Sequence, residues 1–161
     1  MSGKLKKEVG KSGPFASLEE EATLHLLRTA DRLMGFCETA LKSGGLTPTQ
    51  YNVLRILRGV SPQGIACQEI ARRMITRDAD LTRMLDRLES RGLLTRQRQR
   101  DDRRVVHILI TPPGSKLLAE LDPVVAEMNR KIFANLQPQR LTELVELLEH
   151  VCDQVEQPKD P

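Results

Sequence analysis

The stretch from Cys67 to Thr111 constrains the fold of this chain more than any other. Four apolar residues in its middle recur at helical spacing, which predicts a helix with a single buried stripe. Gly92 follows the last of them, at a position where helices commonly end in a left-handed residue. A shorter helix anchored by Ile65, Ile70 and Met74 is predicted just before it. The four stripe residues are Leu81, Met84, Leu85 and Leu88.

A β-hairpin is predicted directly after this pair of helices. Leu93–Thr95 and Val105–Ile110 have the apolar and β-branched character of two strands. The loop between them, Arg96–Arg104, is almost wholly polar and mostly arginine. The order is therefore helix, turn, helix and basic hairpin.

Positive charge is concentrated on this module. The chain carries a net charge of +3, whereas residues 72–104 alone hold 11 Arg and 6 acidic residues. Arginine can donate two parallel hydrogen bonds to a phosphate or a guanine edge. A helix with exposed Arg and Thr beside a basic hairpin fits duplex DNA, with the helix in the major groove. The alternative is a solvated, arginine-rich face without a partner.

Composition narrows the classes of fold and of function that remain possible. Only 2% of the residues are aromatic, so the core must be aliphatic, which favours helices over an all-β fold. No apolar run approaches the ~20 residues of a membrane span. Three cysteines without C-x-x-C spacing indicate a reducing cytoplasm and neither a disulfide framework nor a zinc knuckle. The three isolated His residues and the absence of a phosphate-cradling glycine loop argue against an enzyme, and no cofactor or metal is expected.

Capping signals mark the other helices. Ser17–Glu20 and Thr47–Gln50 are capping boxes, and the first should open a helix that runs to about Lys42. Thr111–Pro112 and Gln137–Pro138 begin two further helices. Ala66 leaves the first helix of the helix-turn-helix weakly capped. Residues 1–16 and 156–161 are predicted to be disordered, the first as a basic arm that could touch DNA phosphates.

Two motifs resemble the MarR family of winged helix-turn-helix regulators. LTRMLDRLESRGLL is similar to the family's recognition helix, and Asp102-Arg103-Arg104, with Thr111 beyond, resembles its wing. The likeness spans roughly residues 18–155. It implies a mainly α fold with a small β-hairpin wing, which is an α+β winged helix-turn-helix with terminal dimerisation helices. The implied parts are a domain at 17–155, with a DNA-binding lobe at 46–111 and dimerisation helices at 17–45 and 112–155.

A homodimer is expected because the terminal helices are too apolar for one small module to cover. Its two-fold axis would place two recognition helices in successive major grooves of a palindromic site. The family dimerises in this way. The predicted partners are thus double-stranded DNA and a second copy of the chain, without a membrane.

Ten residues are predicted to bind DNA. Thr82 and Arg83 should contact base edges, and Arg87 a phosphate or a carboxylate of the chain itself, while Asp86 should be structural. Arg104 should enter the minor groove, oriented by Asp102, as the resemblance also implies. Phosphate contacts are expected from Arg98, Arg100 and Arg103. The complete set is Arg77, Asp80, Thr82, Arg83, Arg87, Arg98, Arg100, Asp102, Arg103 and Arg104.

Two carboxylates precede the recognition helix, where they would repel phosphates. Asp78 is the predicted N-cap, with Thr76 as a second candidate. Asp80 either complements the positive helix end or accepts a hydrogen bond from a cytosine amino group. This departure from the family pattern bears on the operator sequence and not on the fold.

Effector and redox sites are also considered. The family binds small phenolic or carboxylate ligands, so His25, Arg28 and Tyr51 are candidates to hold a small aromatic or carboxylate effector. Their alternative is a solvated polar face plus a core Tyr. Cys37 and Cys67 are candidate redox sensors, against an ordinary packing role.

The sequence therefore predicts a DNA-binding transcription regulator, with repression as the family's commoner mode. A redox-sensing regulator of the same fold is one alternative. A winged-helix module that binds protein, or a sequence-blind architectural DNA binder, is another.

Overall fold

The computed structural model describes residues 3–8, 10, 12–76, 78–98 and 106–156. Within them the chain is mainly helical, with one small antiparallel sheet, which confirms the predicted fold class. No helix in this part of the chain is long and apolar enough to cross a membrane. The elements are α1 (Gly3–Glu8), α2 (Leu18–Leu41), α3 (Pro48–Gly59), β1 (Ile65–Ala66), α4 (Cys67–Arg73), α5 (Leu81–Ser90), β2 (Leu94–Arg98), β3 (Val106–Ile110), α6 (Pro112–Ile132) and α7 (Pro138–Glu156).

The chain forms two compact units, Met1–Val125 and Ala126–Pro161. The first contains an aliphatic core built from α3, α4, α5, the sheet and the beginning of α6. Its one aromatic member is Tyr51. The most deeply buried side chains of this core are Leu41, at the end of α2, together with Val53, Leu54, Leu57, Ile70, Leu85, Leu88, Leu94, Ile108 and Leu118.

The second unit contains the end of α6 and helix α7. Helix α7 exposes a row of large apolar side chains to solvent. Such a surface on a helix usually marks a contact with another molecule. Its members are Val145, Leu147, Leu148, Val151 and Val155.

Two predicted capping signals are confirmed. The Ser17 hydroxyl accepts a hydrogen bond from the backbone N–H of Glu20 (3.2 Å), while the Glu20 carboxylate returns to the N–H of Ala16. At the start of α3, Thr47 and Gln50 form a complete capping box, with bonds of 3.2 and 3.0 Å. Each cap satisfies backbone donors that the first helical turn leaves open.

The helix-turn-helix is formed by α4 and α5, and all four predicted stripe residues of α5 are buried. Ala66 precedes α4 and provides no side-chain cap, as expected. The N-cap assigned to Asp78 is wrong: Asp80 holds that position, without a side-chain cap bond. Asp78 instead accepts from the N–H of Asp80 at 2.7 Å, since an aspartate readily forms a turn with the residue two positions later.

The sheet has three strands in the order β1-β3-β2, where the sequence predicted only two. Strand β1 pairs Ile65 with Ile108 and Ala66 with His107. It was missed because two residues are too few to show the alternation that identifies a strand. The predicted hairpin is present, but β2 continues to Arg98, so Arg96 lies opposite Ile108 in the ladder and not in the loop where it was predicted.

The base of the hairpin is closed by Thr111. Its hydroxyl donates to the carbonyl of Gly92 (2.6 Å) and accepts from the N–H of Gly114 (3.2 Å). Gly92 has the predicted left-handed conformation, with φ of 68°. A Cβ at Gly114 would lie 2.2 Å from the carbonyl oxygen of Leu93, so only glycine fits there. One threonine thus links the end of α5 to the start of α6.

The N-terminal stretch differs from its prediction. Residues 3–8 form helix α1 where a disordered arm was expected, and Leu5 is only 3% exposed. Glu8 contacts Arg28 (3.8 Å) and Arg32 (2.6 Å) of α2. The burial of Leu5 and the ion pairs of Glu8 with two arginines account for the ordered helix. An argument from composition does not detect such contacts.

Two isoleucines, five positions apart, test this core. Ile70→Ala should lower the free energy of unfolding by about 2–5 kcal/mol, because Ile70 is fully buried and truncation leaves a cavity. Ile75→Ala should change it by about 0.5 kcal/mol or less, because Ile75 is 85% exposed. Urea unfolding of both variants provides the measurement, and equal losses would contradict this placement of α4.

Candidate nucleic-acid interface

The outer face of α5 carries the residues predicted to read DNA. Thr82, Arg83 and Arg87 are exposed, on the side of the helix away from its buried stripe. Because that stripe is fixed in the core, the opposite face has a defined orientation. The sequence therefore correctly separated the packing residues of α5 from its solvent-facing ones.

Asp80 lies beside Arg83 at the start of this face. Its carboxylate oxygen Oδ2 is 3.3 Å from Nε of Arg83. The pair is largely exposed, so its net contribution to stability is small. Its geometric effect is to hold the guanidinium near the first turn of the helix. Arg87 forms no ion pair with any residue that the structure describes.

The hairpin extends the basic surface only in part. Arg98 is exposed at the end of β2. The other predicted contacts, Arg77, Arg100, Asp102, Arg103 and Arg104, lie outside the described residues. Their assignment to phosphates and to the minor groove stays a prediction.

Arg96 does not share the orientation of its neighbours. Its guanidinium donates to Oδ1 of Asp86 at 2.6 Å and to Oε2 of Glu89, both on α5. Burial acts to lower the pKa of Arg96, but the hydrogen bonds and charges of the two carboxylates outweigh it and raise that pKa. Sequence reasoning placed Arg96 in the basic loop, although the i, i+3 spacing of Asp86 and Glu89 signalled a shared cation. The structural role predicted for Asp86 is confirmed.

Tyr51 belongs to an internal polar cluster. Its hydroxyl donates to Oδ1 of Asp122 (3.0 Å), and Arg58 donates to both oxygens of the same carboxylate at 2.7 and 3.2 Å. Arg55 lies over the Tyr51 ring, 5.9 Å from its centroid. Burial and the bond to Asp122 raise the pKa of Tyr51, and the bonds from Arg58 lower the pKa of Asp122. The cluster joins α3 to α6.

The other two effector candidates are on α2. His25 is 3.8 Å from Glu21, and Arg28 is 3.8 Å from Glu8. With Tyr51 hydrogen-bonded to Asp122, each of the three predicted ligand residues has a different partner. The structure does not favour them as one site.

The candidate redox residues are half-buried, and neither forms a disulfide. Burial raises the pKa of Cys37, which disfavours the reactive thiolate. Cys67 is the first residue of α4. Within the described ranges, no group of three or more His, Cys, Asp or Glu residues is placed to hold a metal ion.

A pocket of about 340 Å³ lies between α2, the start of α3 and the recognition face of α5. This pocket was not predicted, because its walls come from three segments that are distant in sequence. Both acidic and basic side chains line it, including two of the arginines predicted to bind DNA. Its lining is Met34, Glu38, Thr47, Pro48, Thr49, Gln50, Asp78, Asp80, Arg83, Met84 and Arg87.

Known proteins are similar to this chain in sequence and in fold. Residues 46–106 match the profile of the MarR family. A MarR transcription factor from Planctomyces limnophilus is 40% identical, covering 84% of this chain and 98% of that one, with a TM-score of 0.65. The homoprotocatechuate degradative operon repressor of Escherichia coli is 28% identical over 82% of this chain and 88% of its own. BpsR of Bordetella bronchiseptica, whose DNA binding is regulated by 6-hydroxynicotinic acid, is 26% identical, covering 88% and 99%, with a TM-score of 0.76.

The Asp122 cluster predicts a pH-dependent stability. Asp122→Asn should lower the urea midpoint at neutral pH, because Arg58 and Tyr51 then lose a charged acceptor. A carboxyl whose pKa is lowered by folding stabilises above its ordinary value, here 3.8, and this stability is lost as the pH falls through the lowered pKa. The variant and the wild type should therefore converge in acid. Asp31→Asn, at an exposed carboxylate, is the control, and a difference that persists in acid would contradict the assignment.

Proposed function

Because the chain belongs to the MarR family of DNA-binding transcription regulators, we propose that it is a homodimeric repressor of a palindromic operator that a small aromatic or carboxylate effector releases. The observation that carries the proposal is the division of α5 into a buried stripe and an exposed face with Thr82, Arg83 and Arg87. Repression is supported by the similarity to the E. coli operon repressor.

Base readout is assigned to the first turns of α5. Arg83 is exposed and can donate two hydrogen bonds to a guanine edge, while Thr82 can contact a base or a thymine methyl group. Asp80 holds Arg83 in the apo protein, so DNA must compete for that guanidinium or use Asp80 as an acceptor for cytosine. Arg87 fits a phosphate contact.

The hairpin is assigned to the DNA backbone and the minor groove. Arg98 would contact a phosphate, as would Arg77, Arg100 and Arg103. Arg104 would enter a narrow minor groove, with Asp102 fixing its guanidinium. These contacts place the protein on the duplex, whereas α5 selects the sequence.

Dimerisation is supported by exposed apolar side chains on both terminal helices. Leu26, Leu27 and Phe36 are exposed on α2. Helix α7 exposes the row that ends at Val155. Burial of these side chains against a second copy would remove them from water and provide the two-fold symmetry that a palindrome needs.

The effector site is proposed at the pocket beside α5, and not at His25, Arg28 and Tyr51. Arg87 lines the pocket and has no ion pair among the described residues, so it can receive a carboxylate. Glu38, Thr47 and Thr49 offer acceptors for a hydroxyl or an amine. A ligand held there would withdraw Arg83 and Arg87 from DNA. The regulation of BpsR by 6-hydroxynicotinic acid supports this class of ligand.

Selection of bound duplexes from a random pool, at near-physiological salt, tests the proposal. A palindrome with half-sites about one helical turn apart is the expected result. Retention without an enriched motif would favour an architectural binder. The absence of retention, both with and without reductant, would favour a protein-binding module, whereas retention that depends on reductant would favour a cysteine sensor.

Arg83→Ala should relax the sequence preference. The variant should lose about 1–3 kcal/mol of discrimination at one base pair of each half-site, because a bidentate contact is removed. Fluorescence anisotropy with the selected duplex and its single-base variants measures this loss. Arg140→Ala, at an exposed arginine of α7 paired with Glu143, is the control. A preserved preference would contradict the role of Arg83.

Effector release should depend on the pocket. Titration with hydroxybenzoates and 6-hydroxynicotinic acid should dissociate a preformed operator complex of the wild type. Met34→Trp should abolish the response by filling the pocket, with operator affinity unchanged, while His25→Ala and Arg28→Ala retain it. The reverse pattern would move the effector site to the polar face of α2.

A further inference from the structure

Arg96 differs in its surroundings from the arginines that are predicted to contact DNA and that the structure describes. Its side chain is 29% exposed and lies against α5, whereas Arg83, Arg87 and Arg98 point into solvent. Arg96 belongs to the hairpin that would follow the DNA backbone, and its side chain faces the helix that would read bases. An arginine with this orientation is poorly placed to reach a phosphate.

Three hydrogen bonds join Arg96 to α5. The guanidinium donates to Asp86 and Glu89, and the backbone N–H of Arg96 donates to Oε1 of Glu89 at 3.1 Å. Strand β2 is an edge of the sheet, with β3 on its other side, so the recognition helix satisfies a backbone donor that an edge strand leaves open. Glu89 therefore binds both the side chain and the main chain of one residue.

The same contacts offset part of the negative charge of two carboxylates. Asp86 and Glu89 project from the helix that carries Thr82 and Arg83, toward the hairpin. Without a cation they would repel DNA phosphates within a distance that salt screens only partly. A planar guanidinium can serve both carboxylates at once, which a lysine ammonium does less well.

We propose that Arg96 is a positioning residue for DNA binding, which clamps the β2–β3 hairpin to α5 through Asp86 and Glu89 and makes no DNA contact of its own. The inference rests on the proposed function, in which α5 and the hairpin bind the same DNA duplex. The Arg96 clamp (Arg96, Asp86 and Glu89) fixes the angle between strand β2 and the recognition helix. Both elements then meet the duplex as one rigid body.

Four variants of the full chain test the clamp on the duplex selected by the wild type. They are Arg96→Ala, Arg96→Lys, the charge swap Arg96→Glu with Glu89→Arg, and the control Arg130→Ala. Arg130 forms an ion pair with Glu127 at 2.7 Å, and both residues belong to α6. The measurements are operator affinity, its salt dependence, hydroxyl-radical footprints and thermal unfolding.

Arg96→Ala should bind on the order of tenfold more weakly, as for loss of one partner in a partly exposed charge cluster. Its footprint should lose the flanking protection from the hairpin and keep the central protection from α5. The charge swap should restore part of the affinity and of the flanking protection, because it rebuilds the ion pair but not the hydrogen bond from the backbone N–H of residue 96. Arg96→Lys should lose part of the flanking protection although its charge is intact, and Arg130→Ala should match the wild type.

Three results would overturn the clamp. Unchanged binding by Arg96→Ala is the first. A footprint that weakens evenly, in step with thermal stability, would reduce Arg96 to a general folding role. The third result is a slope of log affinity against log salt concentration that Arg96→Ala lowers by about 0.9, while Arg96→Lys is fully active and the swap is inactive. Arg96 would then be a phosphate contact. Failure of the wild type to retain any duplex would refute the proposed function itself, which separates the two hypotheses.

Discussion

Burial of the apolar stripe of α5 is the interaction on which the rest of the structure depends. Leu81, Met84, Leu85 and Leu88 all enter the core, and each fully buried side chain of this size contributes about 1.5–3 kcal/mol. Their burial fixes the rotation of the helix about its axis. A rotation by one residue would bury a charged side chain and move Arg83 off the outer face. The hydrophobic core and the DNA-reading surface are therefore specified by the same ten residues.

The arginines of the basic module serve two distinct purposes. Arg87 and Arg98 are exposed, and Arg83 is held only by one exposed carboxylate. Arg91 and Arg96 instead tie elements together: Arg91 donates to the carbonyls of Gly45 and Gly44 at 2.7 and 3.0 Å, beside the end of α2. A count of positive charge indicates nucleic acid but cannot separate these two groups, since the difference lies in the acceptors that the fold brings near.

The helices, their caps and the buried stripe could be predicted from the sequence because the responsible contacts are local. Ser17, Thr47 and Gly92 each act within a few residues of their position. The errors share a physical cause. Most of the missed features depend on contacts between segments that are distant in sequence: strand β1, the order of α1 and the pocket. The true N-cap at Asp80 was missed because two aspartates, two positions apart, compete for that role. Tyr51 shows the limit for site residues: its cluster with Arg58 and Asp122 joins positions 71 and 64 apart.

That cluster gives the protein an optical property. The chain contains one Tyr and no Trp, so all of its tyrosine emission comes from Tyr51. A phenol that donates to a carboxylate emits weakly, because the excited hydroxyl transfers its proton to the acceptor. Any event that parts α3 from Asp122 on α6 would brighten the protein without a label. The regulator thus carries an intrinsic fluorophore at the junction between its DNA-binding lobe and the helix that follows.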